Sequence, residues 1–222
     1  MYTPPLFKPD RAACLGFAQA RGFGTVCAWN GDRPIASPVP FALAAADDGT
    51  PLAAFHLARG NPLVNLADGA SSWLLVVSGA DAYVSADWYS SPDQVPTWRY
   101  QAVHLTGRVR KLSDGELGPH LDELSARFEG WLAPKPPWSS AKVTAPRLDA
   151  LKKAIVGVVM TVDEVEGSFK LNQHKSDADH TAVTMALAQQ KDPGSLEIGR
   201  AMVALRPGLD YTLSTLVSVA AD

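Results

Sequence analysis

Seven consecutive residues, His56-Leu57-Ala58-Arg59-Gly60-Asn61-Pro62, set a basic side chain and a carboxamide between the end of a predicted strand and the start of a short helix. Helix N-termini present unpaired N–H groups and a partial positive charge, so this spacing suits an anion. Arg59 adds a fork of donors that matches phosphate oxygens. A surface Arg and a turn-forming Asn are the plainer account of the same residues. A second crowd, Lys170, Asn172, Gln173, His174 and Lys175, precedes a later helix start. Cations, carboxamides and an imidazole so close together suit phosphate or the polar edge of a heteroaromatic ring, with a solvated loop as the alternative. Between the two crowds, Trp88, Tyr89, Trp98 and Tyr100 fall within 13 positions at the two ends of one loop. A solvated connection has no need of that much flat apolar surface, so the loop is expected to line a pocket or an interface. Ser85, at the end of the strand before it, is a weaker candidate.

The elements that must position these residues follow from periodicity and punctuation. Asp10 is placed to cap a helix ending at Arg21, with Gly22 as its stop. Strands are predicted over Phe23 to Trp29, Pro34 to Leu43 and Leu52 to Leu57, joined by turns at Asn30-Gly31 and Asp47-Asp48-Gly49. Pro38 and Pro40 lie two apart, so both lack a donor on the same side, as an edge strand or bulge allows. A short helical reading covers Leu63 to Ala67, with Pro62 at its first position. Ser72 to Val77 and Ala82 to Ala86 are predicted as separate strands joined by a turn at Ser78-Gly79-Ala80-Asp81. Arg99 to Leu112 is the longest alternating run and the expected central strand. So many short strands without intervening helices favour a small closed barrel over a doubly wound sheet.

Ser113 and Glu116 form a capping-box signature for a helix over about 113–130, with Leu117, Leu121, Leu124 and Phe128 at helical spacing. A proline-rich stretch around Trp138 reads as a stiff surface connection. Arg147 to Ala154 is a short helix, Ile155 to Val165 an apolar strand, and 176–206 a helical C-terminal region starting at Ser176. The expectation is one domain over 1–222, mainly β with flanking helices.

Composition sets outer limits. An apolar fraction of 46% with 19% charged residues is that of an ordinary globular chain. The net charge of −3 offers no global field for nucleic acid, and Arg108 and Arg110 share one face of a strand as a solvated stripe. Direct DNA binding is therefore not supported by charge. Cys14 and Cys27, without a CxxC, read as free thiols. No Walker loop, GxGxxG or GxSxG is present, and the five histidines show no metal-ligand spacing; no metal is expected. The first ten residues, MYTPPLFKPD, lack an apolar segment behind a basic start, and no run is long enough to span a membrane. A soluble, cytoplasmic protein is the expectation.

In order along the chain, MYTPPLFKPD, HLARGNP (His56 to Pro62), DAYVSADWY (Asp81 to Tyr89), VPTWRYQAVHLTGRVRKL (Val95 to Leu112) and AIVGVVMTVDEVEGSFKLNQHKSDAD (Ala154 to Asp179) resemble the PaiB-type family of FMN-binding negative transcriptional regulators. The resemblance implies a six-stranded FMN-binding split barrel that forms a homodimer, with FMN in a groove at the dimer interface. It implies that Arg59 and Asn61, within the segment from His56 to Pro62, lie near the phosphate. Trp88, Trp98 and Tyr100 would then sit close to the isoalloxazine or close its pocket, with Arg99 beside the ring site, Ser85 as a further cofactor-binding candidate, and Lys170, Gln173 and Lys175 approaching the cofactor. Two departures stand out: Arg99 replaces a usual Asn, and Asn172-Gln173-His174 replaces Ser-Gln-Asn. The expected activity is that of a flavin-dependent oxidoreductase or flavin reductase-like protein, its small-molecule substrate unspecified and no acid, base or nucleophile assigned. The alternatives are a non-catalytic regulator or flavin sensor, and a haem-binding split barrel with His174 as ligand.

Overall fold

A computed structural model describes residues 1–211; the end of the predicted domain, 212–222, lies outside the described residues. Six strands, β1 (Phe23–Trp29), β2 (Pro34–Ala45), β3 (Pro51–Ala58), β4 (Asp68–Val84), β5 (Thr97–Lys111) and β6 (Ile155–Lys170), close into a barrel in the order β1-β2-β3-β6-β5-β4. Among the described residues five α-helices accompany them: α1 (Arg11–Arg21), α2 (Asp114–Gly130), α3 (Ala145–Lys153), α4 (Asp177–Ala188) and α5 (Pro193–Leu205). The chain forms two compact units, a larger one of Ala12–Val77 and His104–Val165, and a smaller one of Met1–Arg11, Ser78–Val103 and Glu166 onwards.

The larger unit is organised by strand alternation. β1 pairs antiparallel with β2 from Phe23↔Pro40 to Trp29↔Pro34, and β2 then changes partner, pairing with β3 from Phe41↔Phe55 to Ala45↔Pro51. Pro38 and Pro40 therefore lie where β2 has a ladder partner on one side only, which their missing N–H groups permit. β3 pairs with β6 from Leu52↔Thr161 to Ala58↔Ile155. Phe41, Phe55, Leu57, Trp73, Leu75, Leu105, Val109, Val158 and Met160 point inward and are buried; Phe55 and Trp73 meet at 6.4 Å between centroids. Gly107 is required by close approach, because a Cβ there would fall 1.9 Å from the Thr161 carbonyl oxygen. At the start of α2 the Glu116 carboxylate accepts from Ser113 N and Oγ, both at 2.8 Å, as the capping-box spacing predicts. The Arg110 guanidinium, followed by those bonds, holds its carboxyl down at about 2.

Around the core of the smaller unit, Val84 and Leu171 pack with Val183 and Leu187 of α4 and Ile198 and Met202 of α5. Ser176 caps α4 by accepting from Asp179 N, and Asp192 caps α5 by accepting from Ser195 N.

Two sequence expectations are corrected. The turn predicted at Ser78-Gly79-Ala80-Asp81 is absent, and β4 runs through it as one strand of 17 residues. Buried positions are Trp73, Leu75 and Val77 before it and Ala82 and Val84 after it, so inward parity moves by one residue. A small-residue segment that shifts strand phase, as a bulge does, carries the same residues as a turn. The predicted strand from Ile155 also continues past Val165 to Lys170, placing Phe169 and Lys170 on β6 rather than in a loop. Its polar far end hid the continuation, although Gly167 and Ser168 are buried there.

Candidate functional site

In the smaller unit, β5 brings Arg99 inward by alternation, where the side chain is 1% exposed. Its Nη2 donates to the Tyr89 hydroxyl at 2.7 Å and to Asn172 Oδ1 at 2.5 Å. Arg99 Nε and Nη1 are buried without partners, and so is Asn172 Nδ2. Asn172 sits at φ 71° in the turn after β6, a left-handed conformation its short amide tolerates. The groups around this guanidinium are cationic. Lys170 Nζ donates to Thr97 Oγ1 at 2.7 Å; Lys175 Nζ donates to Gln94 Oε1 at 2.5 Å and lies 5.1 Å from the Tyr89 ring centroid. His174 packs edge-on against Phe7.

Burial pushes Arg99 below the usual guanidinium range, with the neighbouring Tyr89 opposing it. Lys170 is lowered by burial and then by the Arg99 charge. His174 is lowered by burial and by the charges of Arg99, Lys175 and Lys170. Among the described residues no carboxylate forms an ion pair with Arg99. The buried acid Asp179 of the same unit is committed elsewhere: it accepts from Ser90 N and Ser91 N at 2.9 Å each and from Ser91 Oγ at 2.8 Å.

Trp98 projects from the opposite face of β5, 54% exposed, and meets Tyr83 of β4 edge-on at 6.0 Å. Both rings join Trp88, Asp81, Gln190 and Asp192 around a cavity of about 440 Å³. The aromatic candidates and Arg99 thus occupy different faces of one strand, which strict alternation requires of adjacent residues. Tyr100 is half-buried. Ser85 is engaged locally, its Oγ accepting from Asp87 N at 3.2 Å to cap the 3-10 turn that carries Trp88. Gln173 folds back on its own turn, accepting from Leu171 N and donating to the Phe169 carbonyl.

The larger unit holds the rest of the predicted set. Arg59 donates to two carbonyls, from Nε to Lys153 O at 2.5 Å and from Nη2 to Ile155 O at 2.9 Å. Its Nη1 is not used by the described residues, and Arg59 lines a cavity of about 200 Å³ together with Lys111 and Ser113. The helix expected after Pro62 is a 3-10 turn, Pro62–Leu66, whose first amides are satisfied: Asn61 Oδ1 accepts from Leu63 N, and Asn61 O accepts from Val64 N. Asn61 Nδ2 donates to Ser37 Oγ at 3.1 Å. The anion-attracting capacity expected of this segment therefore rests on Arg59, not on free backbone amides. His56 faces His120, Nδ1 to Nε2 at 3.4 Å.

A family model described as "Putative FMN-binding domain" matches residues 1–164. The Bacillus subtilis "Protease synthase and sporulation protein PAI 2" is 30% identical over 203 residues, covering 91% of this chain and 96% of that protein. The chain belongs to the PaiB-type FMN-binding family. Among solved structures, the FAD and heme binding protein from Mycobacterium smegmatis has a TM-score of 0.53 at 18% identity, covering 74% of this chain and 73% of that one. The flavocytochrome Anf3 from Azotobacter vinelandii has a TM-score of 0.51 at 16% identity, over 73% and 69% of the two chains. At such identities they show a shared fold.

FMN is the cofactor that membership of the PaiB-type family brings, and the residues of this member are compatible with it. Each unit offers polar groups to an anion, Arg59 and Lys111 in one and the unpartnered nitrogens of Arg99 and Asn172 in the other. Several contributors of this PaiB-type chain were not singled out in the sequence. Lys111, at the end of β5, lines the cavity beside Arg59, and Tyr83, on β4, lines the one beside Trp98. Arg206 spans the turn that holds Asn172, donating to Gln173 O at 2.8 Å, Lys175 O at 3.0 Å and the Asp177 carboxylate at 2.7 Å. It lies 33 residues from Gln173 with no local signal to mark it. Among the described residues no helix is long and apolar enough to cross a membrane, and no group of three or more His, Cys, Asp or Glu is placed to hold a metal ion.

Proposed function

We propose that this PaiB-type chain is a homodimeric FMN-binding oxidoreductase of the flavin reductase-like kind, acting on a small molecule. The observation that carries the reading is the buried Arg99, whose cationic surroundings and unpartnered donors call for an anionic ligand. The half-exposed Trp98 and Tyr83 beside Trp88 offer flat surface for a planar ring. Bound FMN supplies hydride or electron transfer at its N5 atom, while the protein supplies position, electrostatics and exclusion of competing reactions. In this chain the cations lower the free energy of negative charge nearby, and burial magnifies their effect. No side chain is assigned as acid or base.

The test is to titrate the purified protein with FMN, following flavin absorbance, fluorescence quenching and the melting temperature, and then to add NADH or NADPH. Saturable binding with pyridine-nucleotide oxidation supports the oxidoreductase reading. Saturable binding without turnover under any donor leaves the regulator or flavin sensor, and no binding removes the flavin reading altogether.

A further inference from the structure

Arg99 carries a permanent charge, is 1% exposed, and among the described residues spends only one of its three nitrogens on hydrogen bonds. Taking a cation out of water is strongly unfavourable unless an opposite charge and full hydrogen bonding accompany it. Here the described residues supply a phenol and a carboxamide oxygen, with no carboxylate pairing to the guanidinium. The amide of Asn172 is also fixed by its contact with Arg99: Oδ1 faces the guanidinium, so Nδ2 is left as a buried donor without an acceptor. Three unpartnered nitrogens, all donors, converge on two side chains in direct contact, and further cations flank them at Lys170 and Lys175. A merely structural arginine has its donors matched, as Arg206 shows in this same chain with two carbonyls and the Asp177 carboxylate.

We propose that Arg99 and Asn172 form a built oxyanion site that takes the carboxylate or phosphate group of a small-molecule ligand, which acts as the counter-ion that the described residues do not provide. The site rests on the same buried Arg99 that carries the flavin reading, and its response to simple anions is measured without flavin. Two sources share the chemistry: the phosphate monoester of FMN, or an anionic substrate or effector. The positive Lys170 and Lys175 favour either, and their engagement with Thr97 and Gln94 keeps them as flanking charges while Arg99 and Asn172 supply the direct donors.

The experiment uses the full chain stripped of bound small molecules and exchanged into a low-salt, non-coordinating buffer. Thermal melting is recorded against inorganic phosphate and against acetate for wild type, Arg99→Met and Asn172→Asp. The expected result is that at least one anion raises the wild-type melting temperature by several degrees at millimolar concentration and binds at least ten-fold more weakly to Arg99→Met. Without anion, Arg99→Met should melt no lower than wild type, because removing an uncompensated buried cation relieves the fold. Asn172→Asp places a carboxylate against the Arg99 guanidinium and removes the Nδ2 donor, so it should melt higher than wild type and lose the anion response. FMN and riboflavin binding then separate the sources. Loss of FMN but not riboflavin affinity in Arg99→Met assigns the site to the flavin phosphate; equal retention of both assigns it to another anion. Wild-type protein that responds to anions yet binds no flavin would defeat the flavin reading and leave this site standing. A wild type insensitive to both anions, or one whose response survives in Arg99→Met, overturns the proposal.

Discussion

Asp179 is the point at which the aromatic loop is fastened to the first turn of α4. Its carboxylate accepts three hydrogen bonds, two from the successive amides of Ser90 and Ser91 and one from the Ser91 hydroxyl. Ser91 Oγ in turn accepts from Gln94 Nε2 at 2.9 Å, and Gln94 Oε1 accepts from Lys175, so the fastening extends toward the cationic cluster. Hydrogen bonds to an ionised group contribute roughly 1.5–3 kcal/mol each, and an orphaned buried amide costs roughly 1–3 kcal/mol. Partial loosening of the loop lets water reach the freed amides, so Asp179→Ala is expected to lose about 3 kcal/mol. Asp179→Asn keeps Oδ1 for both amides and loses charge and one acceptor, so about 1 kcal/mol is expected. Urea unfolding followed by tryptophan fluorescence, which reports on Trp88 and Trp98, measures both. Acidity gives an independent check. Burial raises the Asp179 carboxyl, its hydrogen bonds, led by those from Ser91, outweigh it, and the net displacement is downward. Its contribution is therefore full above the ordinary unfolded carboxyl range and fades as pH falls through the lowered folded value. The gap between wild type and Asp179→Asn should close in strong acid. An Asp179→Ala protein within 0.5 kcal/mol of wild type, or one no less stable than Asp179→Asn, would refute the fastening.

Two further expectations concern the larger unit. His120 is held at about 4 by burial and by the facing His56, against an ordinary value of 6.5. Stability should accordingly be full above about pH 6.5 and decline toward pH 4, by about 1 kcal/mol at pH 5 once screening is allowed for, and His120→Gln should flatten that dependence in urea titrations at pH 7 and 5. Gly107→Ala drives a methyl group into the Thr161 carbonyl and should lower stability by at least about 3 kcal/mol or prevent folding, whereas Gly16→Ala, with nothing within 4 Å of the new methyl, should raise it by up to about 1 kcal/mol. Melting curves of the two variants side by side decide the matter.

Local signals carried much of this architecture. Ser113 with Glu116, Ser176 and Asp192 mark three helix starts because capping acts across three residues, and β1 needed only its apolar alternation and the Asn30-Gly31 turn. β4 was misjudged because Gly79 and Asp81 resemble a reversal when they accompany a change of inward parity. The family resemblance identified the segments, but partners within them lie far apart in sequence. Arg99 meets Asn172 across 73 positions, and Arg59 meets Lys153 across 94. Nothing in either neighbourhood distinguishes an arginine whose donors are matched from one whose donors are not. The separation of Trp98 from Arg99 was legible, since adjacent strand residues face opposite ways, and grouping them by type alone obscured it.

The exchange of partners along β2 has a consequence for how the molecule behaves in a crowd. Between Pro34 and Pro40 the strand pairs with β1 alone, leaving a stretch of sheet margin to which another extended chain might otherwise be added. Prolines at 34, 38 and 40 all stand on positions of the same parity, and the ladder to β1 draws its donors from the other parity. An incoming strand would therefore meet carbonyls with few amides between them, a poor template for extension. The residues that let the barrel change pairing at Phe41 also discourage copies of the protein from joining edge to edge, so protection against aggregation is written into the same segment that shapes the sheet.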